Sequence, residues 1–230
     1  MQRAVRPLSL QIREDHMKSV SLQLGLALAL LAGSTSFAEP QPLDMDAASA
    51  EVSSNYGKAH PEVQEFVLQT ARSFGRNGLW LNEKAYAGLK PDEREARIEY
   101  LAKLFGEAEY GRHLCAALAE ASALKDPKLV SGLKKVAAYH RDDKDYDCRP
   151  KWMAIAALAR HESPDAVPLL VSLVDHGNQN TRLWARAALA RMAKDDFKAD
   201  KQAWNNWWTG QGHEPIDPAL LKPYVPPTGT

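Results

Sequence analysis

The block Ala116-Ala117-Leu118-Ala119-Glu120 returns as Ala156-Ala157-Leu158-Ala159-Arg160, and again as Ala187-Ala188-Leu189-Ala190-Arg191. The spacing is 40 and then 31 residues, within the range over which helical hairpins repeat. The longer first spacing has a visible source in the polar stretch from Arg141 to Arg149, which has no counterpart in the next unit. Flanking residues extend the match: Trp152 and Trp184 precede their blocks, and Arg149 and Arg182 precede those tryptophans. Abundant alanine and leucine with few β-branched residues favour helix. An Ala-Ala-x-Ala surface lets helices approach closely while Leu118, Leu158 and Leu189 fill the space between them.

Each block has a partner segment. Asp126-Pro127 and Ser163-Pro164 place a capping residue before a first-turn proline, which marks a helix start. From each proline the apolar residues fall in step: Val130, Leu133, Val136 and Ala137 correspond to Val167, Leu170, Leu173 and Val174. This is one apolar stripe per helix. The first of these helices is expected to stop near Tyr139-His140 and the second at His176-Gly177, with Gly177 suited to a left-handed cap. A lone helix cannot bury its stripe, whereas antiparallel pairs stacked side by side form a continuous core.

With a proline-started first helix and a second helix reading Arg-x-x-Trp followed by Ala-Ala-Leu-Ala-Arg, the chain resembles HEAT-type helical repeats over roughly residues 108–209. The resemblance implies an all-α fold, an α-α superhelix of antiparallel helix pairs. Residues 40–105 fit the repeat poorly and stand as either degenerate repeats or a separate helical cap. By segment, residues 39–60 are expected as a flexible linker and 61–107 as an N-terminal cap. That cap has a stripe of Val63, Phe66, Val67 and Ala71 and a second of Ile98, Leu101, Ala102 and Phe105, both expected to cover the N-terminal end of the stack.

The N-terminus has the layout of a secretory signal peptide. Met17-Lys18 leads into an apolar run from Leu24 to Ala32 and a small-x-small ending at Ser36-Phe37-Ala38, so cleavage is expected before Glu39. Residues 1–16 either extend the positive region or lie upstream of a true start at Met17. No later window is apolar for long enough to span a bilayer. The full chain carries 29 basic and 29 acidic residues, so no strong field points to nucleic acid or an anionic membrane. An exported chain with two cysteines, Cys115 and Cys148, is expected to form one disulfide, two buried thiols being the alternative. Aligned blocks place the pair about 10 Å apart along a helix axis, so the bridge requires residues 146–150 to bend back, which Pro150 permits.

At the C-terminus, Trp204, Trp207 and Trp208 share one face of a short helix. They are expected either to seal the last apolar layer or to form an aromatic platform for a sugar or peptide; the HEAT resemblance favours the seal. Residues 210–230 form a proline-rich tail, read as an extended strap or a disordered end.

Motifs that mark chemistry are few in this sequence. Nucleophile-elbow, phosphate-loop and His-Glu-x-x-His motifs are absent. Asp143, Asp145 and Asp147 have the spacing that opens a calcium loop, but Cys148 stands where glycine belongs and Ala154 where glutamate belongs, so they are weak metal candidates. His140, His161 and His176 are expected near helix C-termini, where positive charge suits the dipole, as are Arg160 and Arg191. Arg149, Arg182 and Arg186 are candidates for a contact strip facing an acidic partner. The expectation is an exported, non-catalytic, monomeric scaffold without cofactor, binding an unidentified protein or peptide in the cell envelope or outside the cell. The alternatives are a carbohydrate-binding module using the tryptophan cluster, or an accessory subunit of an envelope enzyme.

Overall fold

The computed structural model describes residues 45–76, 86, 88–107, 113–138 and 149–225. Every described residue belongs to the unit Pro40–Thr230. Among the described residues there are ten α-helices and no β-strand. In chain order they are α1 (Met45–Tyr56), α2 (Pro61–Arg76), α3 (Pro91–Glu107), α4 (His113–Leu124), α5 (Val130–Ala138), α6 (Arg149–His161), α7 (Val167–Leu173), α8 (Gln179–Ala193), α9 (Lys201–Gly210) and α10 (Pro218–Leu221). Short 3₁₀ turns, Pro127–Leu129 and Pro164–Ala166, lead into α5 and α7.

The three recurring blocks lie on α4, α6 and α8, which pack in series. Ala117, Leu118 and Ala119, then Ala157, Leu158 and Ala159, then Ala187 to Ala190 are all buried. Alanine loses no rotamer freedom on burial, so helices meeting through such faces come close at little entropic cost. The indole of Trp152 on α6 reinforces one junction, its Nε1–H donating to Thr181 Oγ1 at 3.1 Å on α8. A second row packs on the first: α5 against α6, α7 against α8, and α3 against both α4 and α5. The predicted stripes of α5 and of α7 with Val174 face this interface and are buried. Helices α9 and α10 pack on α7.

Helix boundaries follow local chemistry with two departures. Asp126 caps the first 3₁₀ turn, its Oδ1 accepting from the Lys128 amide at 3.0 Å, whereas Ser163 makes no side-chain capping bond. Each block helix is followed by a residue in the left-handed region: Lys125 (φ 50°), Glu162 (φ 49°) and Lys194 (φ 57°). Gly177, expected to take that role, has no positive φ. Its missing side chain serves a close approach instead, since a Cβ there would lie 2.8 Å from the Tyr224 ring.

Two expectations about the N-terminal part need correction. Residues 45–56, expected within a flexible linker, form α1, with Ala48, Val52 and Tyr56 buried at a four-residue spacing. Helices α2 and α3 do not jointly cover one end. Helix α3 packs on α4 and α5, whereas α2 packs with α1 against α8. The cause is side-chain fit: Phe66 of α2 meets the buried Trp184 of α8 edge-on, with ring centroids 5.4 Å apart. Val63, Val67 and Ala71 are buried on the same helix.

The α3–α5 contact yields a test. A Cβ on Gly132 would sit 2.6 Å from the Phe105 Cβ. Gly132→Ala is therefore expected to destabilise the fold by about 1–3 kcal/mol through overpacking, although alanine is the better helix former by about 1 kcal/mol. A lower urea midpoint checks it; a raised midpoint would show that α3 yields.

Candidate interaction surface

The blocks on α6 and α8 end in Arg160 and Arg191, and these two side chains converge on a single carboxylate. Arg160 Nη2 lies 3.1 and 3.2 Å from the two Glu51 oxygens, and Arg191 Nη1 lies 3.5 Å from Glu51 Oε1. Arg191 also donates through Nε to Glu162 at 2.7 Å, and its guanidinium stands 5.9 Å from the centre of the Tyr56 ring. Burial pushes the Tyr56 phenol above its ordinary pKa despite the pull of Arg191, so it stays a neutral hydroxyl. The block on α4 ends in Glu120, and the partner changes sign with it: Arg97 of α3 donates to Glu120 at 2.6 Å. Arg160 and Arg191, expected as helix-dipole partners, thus seat α1.

The expected contact strip is largely used within the chain. Arg186 is buried and forms a fork with Asp196, Nη2–Oδ2 at 3.0 Å and Nε–Oδ1 at 3.4 Å, with Glu62 of α2 a further 3.4 Å contact. Asp196 also accepts from the His60 and Lys198 amides at 3.2 and 2.9 Å. Arg182 donates to the carbonyls of His176 and Gly177 at 2.7 and 2.9 Å. Arg149 opens α6, and its side chain lies outside the description.

The three tryptophans do not form a flat open platform. Trp204 is buried, donates to the Lys198 carbonyl at 2.9 Å, and packs edge-on to Phe197 and Trp207. Trp208 is buried with His213 stacked on it, ring centroids 3.6 Å apart and planes 6° from parallel. Trp207 alone is half-buried. The tail runs back along the helices, with Ile216 buried and its amide donating to Asn205 Oδ1 at 2.9 Å. Further on, the Tyr224 amide donates to Asp175 Oδ2 at 2.9 Å and the Tyr224 ring covers His176, centroids 4.3 Å apart.

His161 does not serve as a helix-end charge. His161 donates through Nε2 to the Ala121 carbonyl at 2.9 Å, and burial lowers its pKa, so it links α6 to α4 as a neutral ring. His176 is fully buried; its Nδ1 accepts from the Asn178 amide at 3.1 Å and its Nε2 is 3.4 Å from Lys151 Nζ. His140, the candidate carboxylates Asp143, Asp145 and Asp147, and Cys148 lie outside the described residues. Cys115 is half-buried on α4, and no disulfide is found among the described residues. Among those residues no group of three potential metal ligands comes together, and no helix is long and apolar enough to cross a membrane.

Comparison with protein families, with curated proteins and with solved structures finds no match to this chain.

Sequence reasoning missed Glu51, Tyr56, His60 and Asp196. A signal for α1 exists in Ala48, Val52 and Tyr56 at i, i+4 and i+8, but flanking alanines and serines blur the contrast between its faces. Nothing local marks Asp196, whose partner His60 is 136 residues away.

Proposed function

We propose that this chain is an exported, non-catalytic scaffold of HEAT-like helical repeats that holds a protein or peptide partner in the cell envelope or outside the cell. The observation that carries this reading is the serial packing of α4, α6 and α8 through the same buried alanine-leucine face. Faces of that kind are what stacked hairpins use to extend a core, and such arrays present broad surfaces suited to macromolecular partners. The charge and hydrophobic pattern of residues 17–38 supports export. Burial of Trp204 and Trp208 supports a protein partner over a glycan, because sugar stacking needs open indole faces.

The test is photo-crosslinking in living cells. A photoreactive residue is placed singly at the exposed positions Lys135, Gln202 and Asn206 of the full-length tagged chain, and the envelope fraction is recovered. The expected result is a mature chain starting at Glu39 with a discrete protein adduct at neighbouring positions. A chain that stays in the cytoplasm with residues 1–38 attached, or that gives no protein adduct, overturns the proposal. Trp207→Ala is expected to leave glycan-array signals unchanged from background; saturable glycan binding lost in this variant would replace the protein-scaffold reading.

A further inference from the structure

We propose that the chain carries a pH-gated strap: residues 222–225 lie closed over His176 at neutral pH and lift from it on acidification, when that ring takes a second proton. This goes beyond the scaffold reading and does not depend on it. His176 is fully buried in the turn between α7 and α8, and the Tyr224 ring covers it, with centroids 4.3 Å apart. Gly177 makes room for that ring by having no side chain to meet it. Two polar pins hold the same segment. The Tyr224 amide donates to Asp175 Oδ2 at 2.9 Å. Lys201 of α9 reaches both Asp175 Oδ1, at 2.8 Å, and the Lys222 carbonyl. The stretch before the strap is held separately, by the buried Ile216 and by Leu220 and Leu221 packed on the core.

The surroundings of His176 suit a neutral ring. The Asn178 amide donates to Nδ1 at 3.1 Å, and Nζ of the buried Lys151 on α6 stands 3.4 Å from Nε2. A neutral imidazole offers one acceptor nitrogen to these two donors, and an imidazolium offers none. A second proton therefore sets donor against donor at Asn178, the residue that caps α8. It strands a buried amide and places a new charge in a buried site beside an ammonium group. Other charged groups among the described residues also border the ring. Asp175 is shared between Lys201 and the Tyr224 amide, Arg182 of α8 donates to the His176 carbonyl at 2.7 Å, and Lys222 is exposed. The face of Tyr224 attracts a cation, but weakly beside the cost of a buried charge.

Lifting the strap resolves the conflict, because the ring then reaches water. The open form binds one proton more than the closed form, so falling pH favours it. Histidine is the side chain whose ordinary titration lies between pH 5 and 8. With the ordinary value of about 6.5 for an exposed ring, the open population rises about tenfold from pH 7.5 to pH 5.5.

Hydrogen exchange on the full chain tests this, read as the protection of single amides after correction for the intrinsic pH dependence of exchange. Protection of the Tyr224 amide is expected to fall about tenfold from pH 7.5 to pH 5.5, while residues 183–190 keep theirs. His176→Asn retains an acceptor for the Asn178 amide but has no proton to gain, and is expected to leave Tyr224 equally protected at both pH values. Unchanged Tyr224 protection in wild type overturns the proposal, as does a parallel loss across residues 183–190, which would mark unfolding of the whole. A fall that persists in His176→Asn assigns the effect to another group, such as Asp175, and also overturns it. Should His176→Asn fail to fold, an NMR titration of wild type decides. The His176 ring and Tyr224 amide signals are expected to share one midpoint, and separate midpoints overturn the proposal.

Discussion

Trp184→Ala is expected to lower the unfolding free energy by about 3–5 kcal/mol, the usual cost of deleting a large aromatic from a packed interior. The indole is almost fully buried on α8, at the point where three parts of the fold meet. It belongs to the helix whose alanine face packs on α6, it lies on the α7–α8 pair, and it receives the edge of Phe66 from α2. The cavity would open between α8 and α2, whose backbones are held by their own hydrogen bonds and cannot collapse onto it. For a chain of this size the loss corresponds to a melting temperature lower by on the order of 10 °C. Trp184→Phe is expected to cost less, because it keeps a ring for Phe66. Phe66→Ala combined with Trp184→Ala is expected to cost less than the sum of the two, by the roughly 0.5–1.5 kcal/mol such aromatic pairs carry beyond their area. Urea unfolding of the four chains checks this. Strict additivity would show that the α2–α8 contact does not form in solution.

The tryptophans show how far the sequence could be read. Trp152 stands four residues before its block and Trp184 three before its own, and their presence on the helices was legible. Their partners were not: Trp152 donates to Thr181, whereas Trp184 receives Phe66. Periodicity reports which face of a helix is buried, and the stripes of α2, α3, α5 and α7 were readable for that reason. It does not report what covers the face. Placing α2 on α8 and not at the N-terminal end depends on contacts such as Arg186–Glu62, 124 residues apart, which no local spacing encodes. Helix α1 was read as a linker because its buried side chains are mostly small and are flanked by residues of the same kind. The arginines were recognised as a class but assigned outward roles, since a lone charged residue on a helix face gives no sign that a carboxylate from a distant segment will meet it.

Acidification should expose the most consequential of those hidden pairs. The Asp196 side chain is only 2% exposed and Arg186 is 10% exposed. Burial raises the Asp196 pKa, but the Arg186 hydrogen bond, the amides of Lys198 and His60 and the guanidinium charge together hold it below the ordinary carboxylate value. A carboxylate depressed in the folded state binds fewer protons there than in the unfolded chain. Its stabilising contribution is therefore complete above about pH 4, where the unfolded carboxyl is ionised, and is lost as pH falls through the folded pKa. Asp196→Ala at neutral pH is expected to cost about 3–5 kcal/mol, because among the described residues it leaves the buried guanidinium with the half-exposed Glu62 as its remaining carboxylate. It also withdraws the acceptor from the His60 amide at the turn between α1 and α2, so both helices are expected to lose hydrogen-exchange protection before α4 and α6 do. The gap between wild type and Asp196→Ala should narrow on descending below pH 4. His161, whose pKa is also depressed by burial, produces a separate loss beginning near pH 6.5 that both proteins share. Unfolding curves from pH 7 to pH 2.5 distinguish the two, and a wild-type-to-variant gap that stays constant below pH 4 would show that Asp196 is not the anchor joining the α1–α2 turn to α8.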